Sequence, residues 1–238
     1  MNWKDVDNLT SEAFSTLINI SGRQRMLSQR IILLVLHCHM LLEHDKGDKL
    51  STSLSLLRTT INLFITCQNN ILNGNQGEKI PCIRHERLVE KLNKGGAEKL
   101  INNFIRDVES FHSDLSNAIP ISQKTLDEMV LYTANPVLDC LNEITQIFES
   151  AFHEYSAYQR SDLVRQSETV LTAIQSIKKI SHQMDIISIN SKIVASRAGD
   201  AGKQFKVIAD RLQTLNHDIV HSSDNVIEYL ELVVGAEK

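Results

Sequence analysis

Residues 18–42, INISGRQRMLSQRIILLVLHCHMLL, carry the pattern that decides the fold. Steps of three and four residues give one helical stripe that consists of Phe14, Ile18, Ser21, Arg25, Ser28, Ile32, Val35, His39 and Leu42. A second stripe beside it consists of Leu17, Ile20, Leu27, Ile31, Leu34, Cys38 and Leu41. Two adjacent apolar stripes indicate a helix buried against more than one neighbour. They predict a helical bundle whose protomers also pair along this helix.

Arg25 is the anomalous member of the first stripe. A buried guanidinium needs a partner, because an unpaired buried charge costs several kcal/mol or more. No acidic residue lies one helical turn away, and the neighbours on the stripe are the small hydroxyl residues Ser21 and Ser28. This setting favours a small planar anion that accepts two parallel hydrogen bonds, with both protomers contributing if the stripe is a two-fold interface. The alternative is that Arg23, Arg25 and Arg30 are solvated or pair with distant acidic residues.

The segment INISGRQRMLSQRI resembles the opening helix of the sensor domain of type IV pilus chemotransducers (PilJ type). It is also similar to the P-box of nitrate/nitrite sensor kinases. In these families the arginine before the methionine contacts the anion at the dimer interface, and Arg25 occupies that position. The resemblance therefore implies a nitrate- or nitrite-like ligand, and the predicted ligand site comprises Arg25, Ser21, Ser28 and Arg30.

Composition favours long helices and excludes several classes. The 238 residues are 42% apolar and include only three prolines and nine glycines. A net charge of −4 gives no reason to expect nucleic-acid binding. The apolar run 31–42 is shorter than the ~20 residues of a membrane span, and no signal peptide is visible. We expect a soluble, cytoplasmic protein without direct membrane insertion, whose four separated cysteines are free thiols.

The order of the predicted helices completes the amino-terminal domain. The first helix is capped by Asn8 or Thr10 and ends near Asp45, before a break at residues 46–48. A second helix covers 50–71, and a loop with one short helix around Leu88 and Leu92 precedes a third helix over 100–115. A fourth begins at Ser122, with a kink expected at Pro136. This order is the one that the PilJ-like resemblance implies, over residues 8–155.

From Leu163 onward the periodicity is that of a coiled coil. Leu163, Val170, Ile177 and Met184 recur every seven residues, and a return arm keeps the alternation from Phe205 to Val233. The sequence AGDAG at 198–202 joins the two arms. We predict an antiparallel hairpin over 160–238 with its tip near 195–204. The predicted fold class is all-α, a four-helix bundle sensor that continues into an antiparallel coiled-coil hairpin.

Residues 183–212, QMDIISINSKIVASRAGDAGKQFKVIADRL, resemble the signalling tip of methyl-accepting chemotaxis proteins. In that family the tip dimerises, gathers into trimers and binds the histidine kinase CheA and the coupling protein CheW. The resemblance implies a partner-binding surface that consists of Asn190, Val194, Arg197, Gly199, Asp200, Phe205 and Asp210.

Three departures from the family pattern predict an altered partner. Val194 replaces a glutamate, Lys192 replaces an alanine and Arg211 replaces an acid, which changes the local charge by about four units. Separately, Glu168, Glu228 and Glu231 lack the paired context of methylation sites. We therefore expect no adaptation by methylation.

No pattern indicates a catalytic site, a metal site or a cofactor. His37 and His39 point to different faces of one helix, and the pair His217 and His221 lacks a third ligand. Two hypotheses remain. The first is a chemoreceptor-like homodimer that senses a small anion and relays the state to CheA and CheW or another partner. The second is a non-sensing dimeric helical scaffold that docks a different protein through its altered tip.

Overall fold

A computed structural model describes residues 10–44, 47–78, 80, 82, 86–93 and 96–235, and it confirms the all-α fold class. The helices are α1 (Ser11–Glu43), α2 (Gly47–Asn73), α3 (Glu86–Asn93), α4 (Ala97–Ser116), α5 (Gln123–Tyr132), α6 (Leu138–Arg197) and α7 (Lys203–Gly235). A π-helical segment, Thr133–Val137, joins α5 to α6, and a 3₁₀ turn, Gly199–Gly202, joins α6 to α7. An isolated bridge between Asn75 and Ile80 closes the turn after α2.

Side-chain caps start the helices where the sequence predicts. The Thr10 hydroxyl accepts a hydrogen bond from the Ala13 amide at 3.1 Å, and the Ser122 hydroxyl accepts one from Thr125 at 3.2 Å. Asn8, the alternative cap, lies outside the described residues. The predicted break at 46–48 is displaced, since Gly47 and Asp48 already belong to α2. Pro136 lies in the π-helical segment, which replaces the simple kink expected there.

The chain divides into two compact units between Ser156 and Ala157. In the first unit, α1 packs on α2 and α4, and α2 packs on α4, around one apolar core. Phe64 of α2 meets Phe104 of α4 edge-on, with ring centroids 5.2 Å apart. Such contacts stabilise the bundle through burial of apolar area and through aromatic geometry.

The first stripe of α1 is buried inside its own chain. Phe14 is fully buried, and its ring lies 5.8 Å from that of Phe152 and 5.3 Å from that of Tyr155, both on α6. Ile32 and Val35 are buried as well. Packing within the chain therefore accounts for the burial of these residues, with α6 covering the stripe at Phe14. The interpretation of the stripe as a seam between protomers stays a prediction. Periodicity identified a buried face but not which helix buries it.

By length and composition alone, helix α1 is long and apolar enough to span a membrane. Its most apolar stretch of 18 residues extends well beyond the dozen counted in the sequence, and 44% of that stretch is buried within the structure. The core helix of a bundle or a signal sequence can have the same length and hydropathy, so this single helix is weak evidence for a membrane span.

Three of the four cysteines are buried thiols of the first unit. Cys38, Cys67 and Cys140 are at most 5% exposed, whereas Cys82 is half-buried. Burial raises the pKa of the Cys38 thiol to about 11, and it raises the pKa values of Cys67 and Cys140. At neutral pH these thiols stay protonated, and all four are free.

Candidate functional site

Arg25 lies at the contact between α1 and α6. Its guanidinium is half-buried, and Nη1 donates a hydrogen bond to Oδ1 of Asn142 at 2.8 Å. Among the described residues no carboxylate forms an ion pair with it. Because its partner is a neutral amide, the positive charge of this partly desolvated guanidinium is not neutralised and can attract an anion.

The other predicted ligand residues are arranged differently. Ser21 and Ser28 flank Arg25 and are buried, but their hydroxyls donate to backbone carbonyls of α1, those of Ile18 at 2.9 Å and Arg25 at 2.7 Å. Arg30 is exposed on another face of the helix. The structure therefore places the two serines beside Arg25, but their hydroxyl protons already form hydrogen bonds with the backbone. Arg30 does not lie with these three residues.

A buried amide pair that the sequence analysis missed lies one residue away from Arg25. Gln24 of α1 is fully buried, and Gln68 of α2 is 2% exposed. Nε2 of Gln24 donates to Oε1 of Gln68 at 2.7 Å, while Oε1 of Gln24 and Nε2 of Gln68 have no partner. The signal was present in the spacing, because Gln24 continues the second stripe between Ile20 and Leu27.

In the second unit, small and polar side chains fill the space between the two arms of the hairpin. The buried residues of α6 recur every seven positions as Ile174, Ser181, Ser188 and Ala195, and those of α7 do so as Ala209, Asn216 and Ser223. Asn216 Nδ2 donates to the Ser181 carbonyl at 2.8 Å. Few large side chains are therefore buried between the arms.

Apart from Ile174, the large apolar side chains of the hairpin lie outside this row. A groove of about 540 Å³ is lined by Ile174, Ile177, Met184, Leu212, Leu215, Asp218, Ile219, Ser222, Ser223 and Val226. We call this the apolar groove. Ile177, Leu215 and Ile219 are 42%, 51% and 39% exposed. Such a strip on a two-helix hairpin is a surface that another element is expected to cover.

A second concavity, the tip cleft, follows the apolar groove toward the turn. Its volume is about 570 Å³, and it is lined by Ile187, Asn190, Ser191, Val194, Ala195, Ala198, Ala201, Gly202 and Phe205. Ser191 lies one heptad beyond Met184, which places cleft and groove on the same side of α6. Of the predicted partner-binding residues, the cleft brings together Asn190, Val194 and Phe205. Arg197, Gly199 and Asp200 lie at the turn, and Asp210 lies elsewhere on α7.

Two glycines make the turn possible. Gly199 has φ +62°, in the left-handed region that glycine adopts without strain. A Cβ at Gly202 would collide with the Ala195 carbonyl oxygen, so a side chain there requires the backbone to shift. The backbone after the turn therefore lies close to the end of α6, where Ala195 and Gly202 line the tip cleft.

The departures from the family pattern have different structural settings. Lys192 bridges the arms, because its Nζ lies 2.6 Å from Oδ1 of Asp210 and also donates to Gln213. The positive charge of Lys192 is thus partly neutralised by Asp210 within the hairpin, which reduces its effect on a partner. Val194, by contrast, is 66% exposed in the tip cleft, and Arg211 is exposed on α7.

Within the described ranges, no three metal-ligating side chains come together. His37 lies 3.3 Å from the Ser53 hydroxyl, measured from Nδ1, whereas Nε2 of His39 lies 3.3 Å from Glu43. The two histidines thus face different neighbours.

Comparison with known proteins gives a match that covers the hairpin and the last part of the first unit. Residues 130–237 match the methyl-accepting chemotaxis protein signalling domain. The chain is 36% identical to the methyl-accepting chemotaxis protein PctB of Pseudomonas aeruginosa over 66 residues, which are 27% of this chain and 10% of that protein. It is 31% identical to McpC of Bacillus subtilis over 72 residues, 30% of this chain and 11% of the relative.

A longer alignment involves the putative sensory transducer YvaQ of Bacillus subtilis, which is 30% identical over 101 residues. These cover 42% of this chain and 16% of the relative. The chain thus spans no more than about a sixth of these curated relatives. No solved structure matches. The carboxyl-terminal part of the chain is similar to the signalling domain of methyl-accepting chemotaxis proteins.

Proposed function

We propose that this chain is a cytoplasmic, non-enzymatic signal transduction protein of the chemoreceptor type, and that its hairpin pairs with a second copy. The observation that carries the proposal is the inverted composition of the hairpin, in which small residues lie between the arms and large apolar residues line the outside. Pairing two copies across their apolar grooves creates a four-helix coiled coil with those residues in its core. The similarity to chemoreceptor signalling domains supports this arrangement.

Sedimentation velocity of the full chain tests the pairing. Ile219→Asp places a charge in the apolar groove, whereas His221→Asp places the same charge two residues away, at an exposed position outside the groove. We expect the parent and His221→Asp to sediment as dimers and Ile219→Asp as a monomer, because burying an unpaired carboxylate is costly. A parent that remains monomeric at high concentration contradicts the proposal.

The proposed output is docking of a chemotaxis-type kinase and coupling protein at the tip cleft. Phe205 is 69% exposed there, next to Val194, and such exposed apolar anchors are typical of protein interfaces. Capture of CheA and CheW by the immobilised chain should fail for Phe205→Ser and persist for Lys206→Ser, which lies outside the cleft. No capture by the parent, with a chemoreceptor tip as positive control, would instead favour the scaffold that docks a different protein.

The proposed input is a small planar anion at Arg25. Its support is the half-buried guanidinium that donates to the neutral Asn142, together with the resemblance to nitrate and nitrite sensors. In calorimetric titration we expect nitrate or nitrite to bind and chloride not to bind. Binding should vanish in Arg25→Ala and survive in Arg23→Ala, since Arg23 is exposed on another face. Equal heats from all three anions would contradict a specific site.

A further inference from the structure

The amide pair between α1 and α2 is only half satisfied. Two primary amides can form a closed pair with two reciprocal hydrogen bonds, since each carries a donor and an acceptor. Gln24 and Gln68 form one of these bonds at 2.7 Å and leave the complementary donor and acceptor, Nε2 of Gln68 and Oε1 of Gln24, without partners. Each unsatisfied buried group carries a desolvation penalty.

This pair interrupts an apolar stretch of the contact between α1 and α2. On α1 it follows Leu17 and Ile20, and on α2 it lies between Phe64 and Ile71, all of them buried. Apolar layers tolerate small displacements poorly, because packing is dense. A polar layer with an unmade bond is different, because a displacement can gain a hydrogen bond.

We infer that the Gln24–Gln68 layer is a two-position latch between α1 and α2. In the observed position the amides share one hydrogen bond, and in the other a small shift of α1 lets them share two. Because Arg25 is the next residue, the shift also moves its guanidinium relative to Asn142 on α6. An anion at Arg25 that prefers one position would thereby bias the latch. That use in signalling rests on the proposed function, whereas the existence of the latch does not.

The test uses the full chain without added anion or partner, so its failure is separate from failure of the proposed function. Relaxation dispersion of the side-chain amides of Gln24 and Gln68 should show exchange on the microsecond to millisecond timescale of small helix shifts. Gln24→Leu combined with Gln68→Leu should raise Tm by roughly 2–4 °C, because it removes both unsatisfied groups. Each single substitution should lower Tm, because it leaves the other amide without its partner.

A matched control is the pair Ile31→Leu with Ile61→Leu, one heptad along each helix and buried in both. It should leave the amide dispersion and Tm nearly unchanged. Hydrogen exchange supplies a local readout, since residues 17–31 and 61–72 should exchange at least about tenfold more slowly in the double leucine variant, with 101–115 of α4 as reference. Absence of dispersion, or a double leucine variant that melts no higher than the parent, overturns the latch.

Discussion

Individual glycines of this chain have opposite requirements. Gly202 lies under the Ala195 carbonyl, so a methyl group there must displace backbone. Gly22 lies within α1, where an added Cβ would meet nothing within 4 Å. We expect Gly202→Ala to destabilise the hairpin and Gly22→Ala to stabilise the bundle by about 0.5–1 kcal/mol, because alanine has the higher helix propensity. Thermal unfolding of both variants checks this, and a stabilised Gly202→Ala would contradict the close approach.

Cys38 makes stability sensitive to alkaline pH. Its pKa is raised from 9.0 to about 11 by burial, so above pH 9 the unfolded chain loses this proton while the folded chain keeps it. The folded state then binds more protons, and stability falls as pH rises from 9 to 11, by about 3 kcal/mol in total from this thiol. Urea titrations at pH 7 to 11 should show a shallower loss in Cys38→Ala. Parallel curves for the two proteins would contradict the assignment.

Individual residue types were easier to identify from the sequence than the partners of those residues. The cap Thr10 and the helix start at Ser122 could be recognised, since a cap acts within three residues of itself. The neutral partner of Arg25 could not, because Asn142 is 117 positions away and only the tertiary packing brings it near. Gln24 could not be recognised as a buried residue, because a polar residue on an apolar stripe indicates a gap in the buried face unless its partner Gln68 is known.

Helices α6 and α7 are joined by ion pairs along one edge. Lys192 pairs with Asp210, and Lys178 pairs with Asp224, each fourteen residues from the other on its own helix. Both pairs are partly exposed, so a double-mutant cycle on Lys192→Ala and Asp210→Ala should give a coupling energy of about 0.2–1 kcal/mol that shrinks as salt is added. A coupling that salt leaves unchanged would indicate a contact of another kind.

Periodicity predicted the helices well, including the short α3 inside the loop and both arms of the hairpin. It did not predict the π-helical segment at 133–137, because one wider turn leaves the apolar spacing on each side intact. It also did not identify α6 as a neighbour of the first stripe of α1, which the structure shows at Phe14 and Arg25. For a helix that is buried on several sides, the sequence pattern shows which faces are buried but not which helix packs against each face.

The two units of the molecule differ in how they are stabilised. The bundle encloses a continuous apolar core, whereas the buried apolar residues of the described hairpin are Ile174, Ala195 and Ala209. We expect hydrogen exchange of residues 157–235 to slow markedly as protein concentration rises, and exchange of 11–155 to be independent of concentration. The reason is that association stabilises only the element whose core it completes. Protection of the hairpin that does not vary with dilution would contradict this.

The inert thiols of the bundle have a practical consequence for spectroscopy. Cys38, Cys67 and Cys140 are buried and stay protonated at neutral pH, so they react slowly with a maleimide reagent. In the folded chain the reagent therefore modifies mainly Cys82. With Cys82 replaced, a cysteine introduced at an exposed site such as Val194 becomes the dominant site of labelling. A fluorophore or spin label at the tip can then report distances in a chain whose core has not been altered.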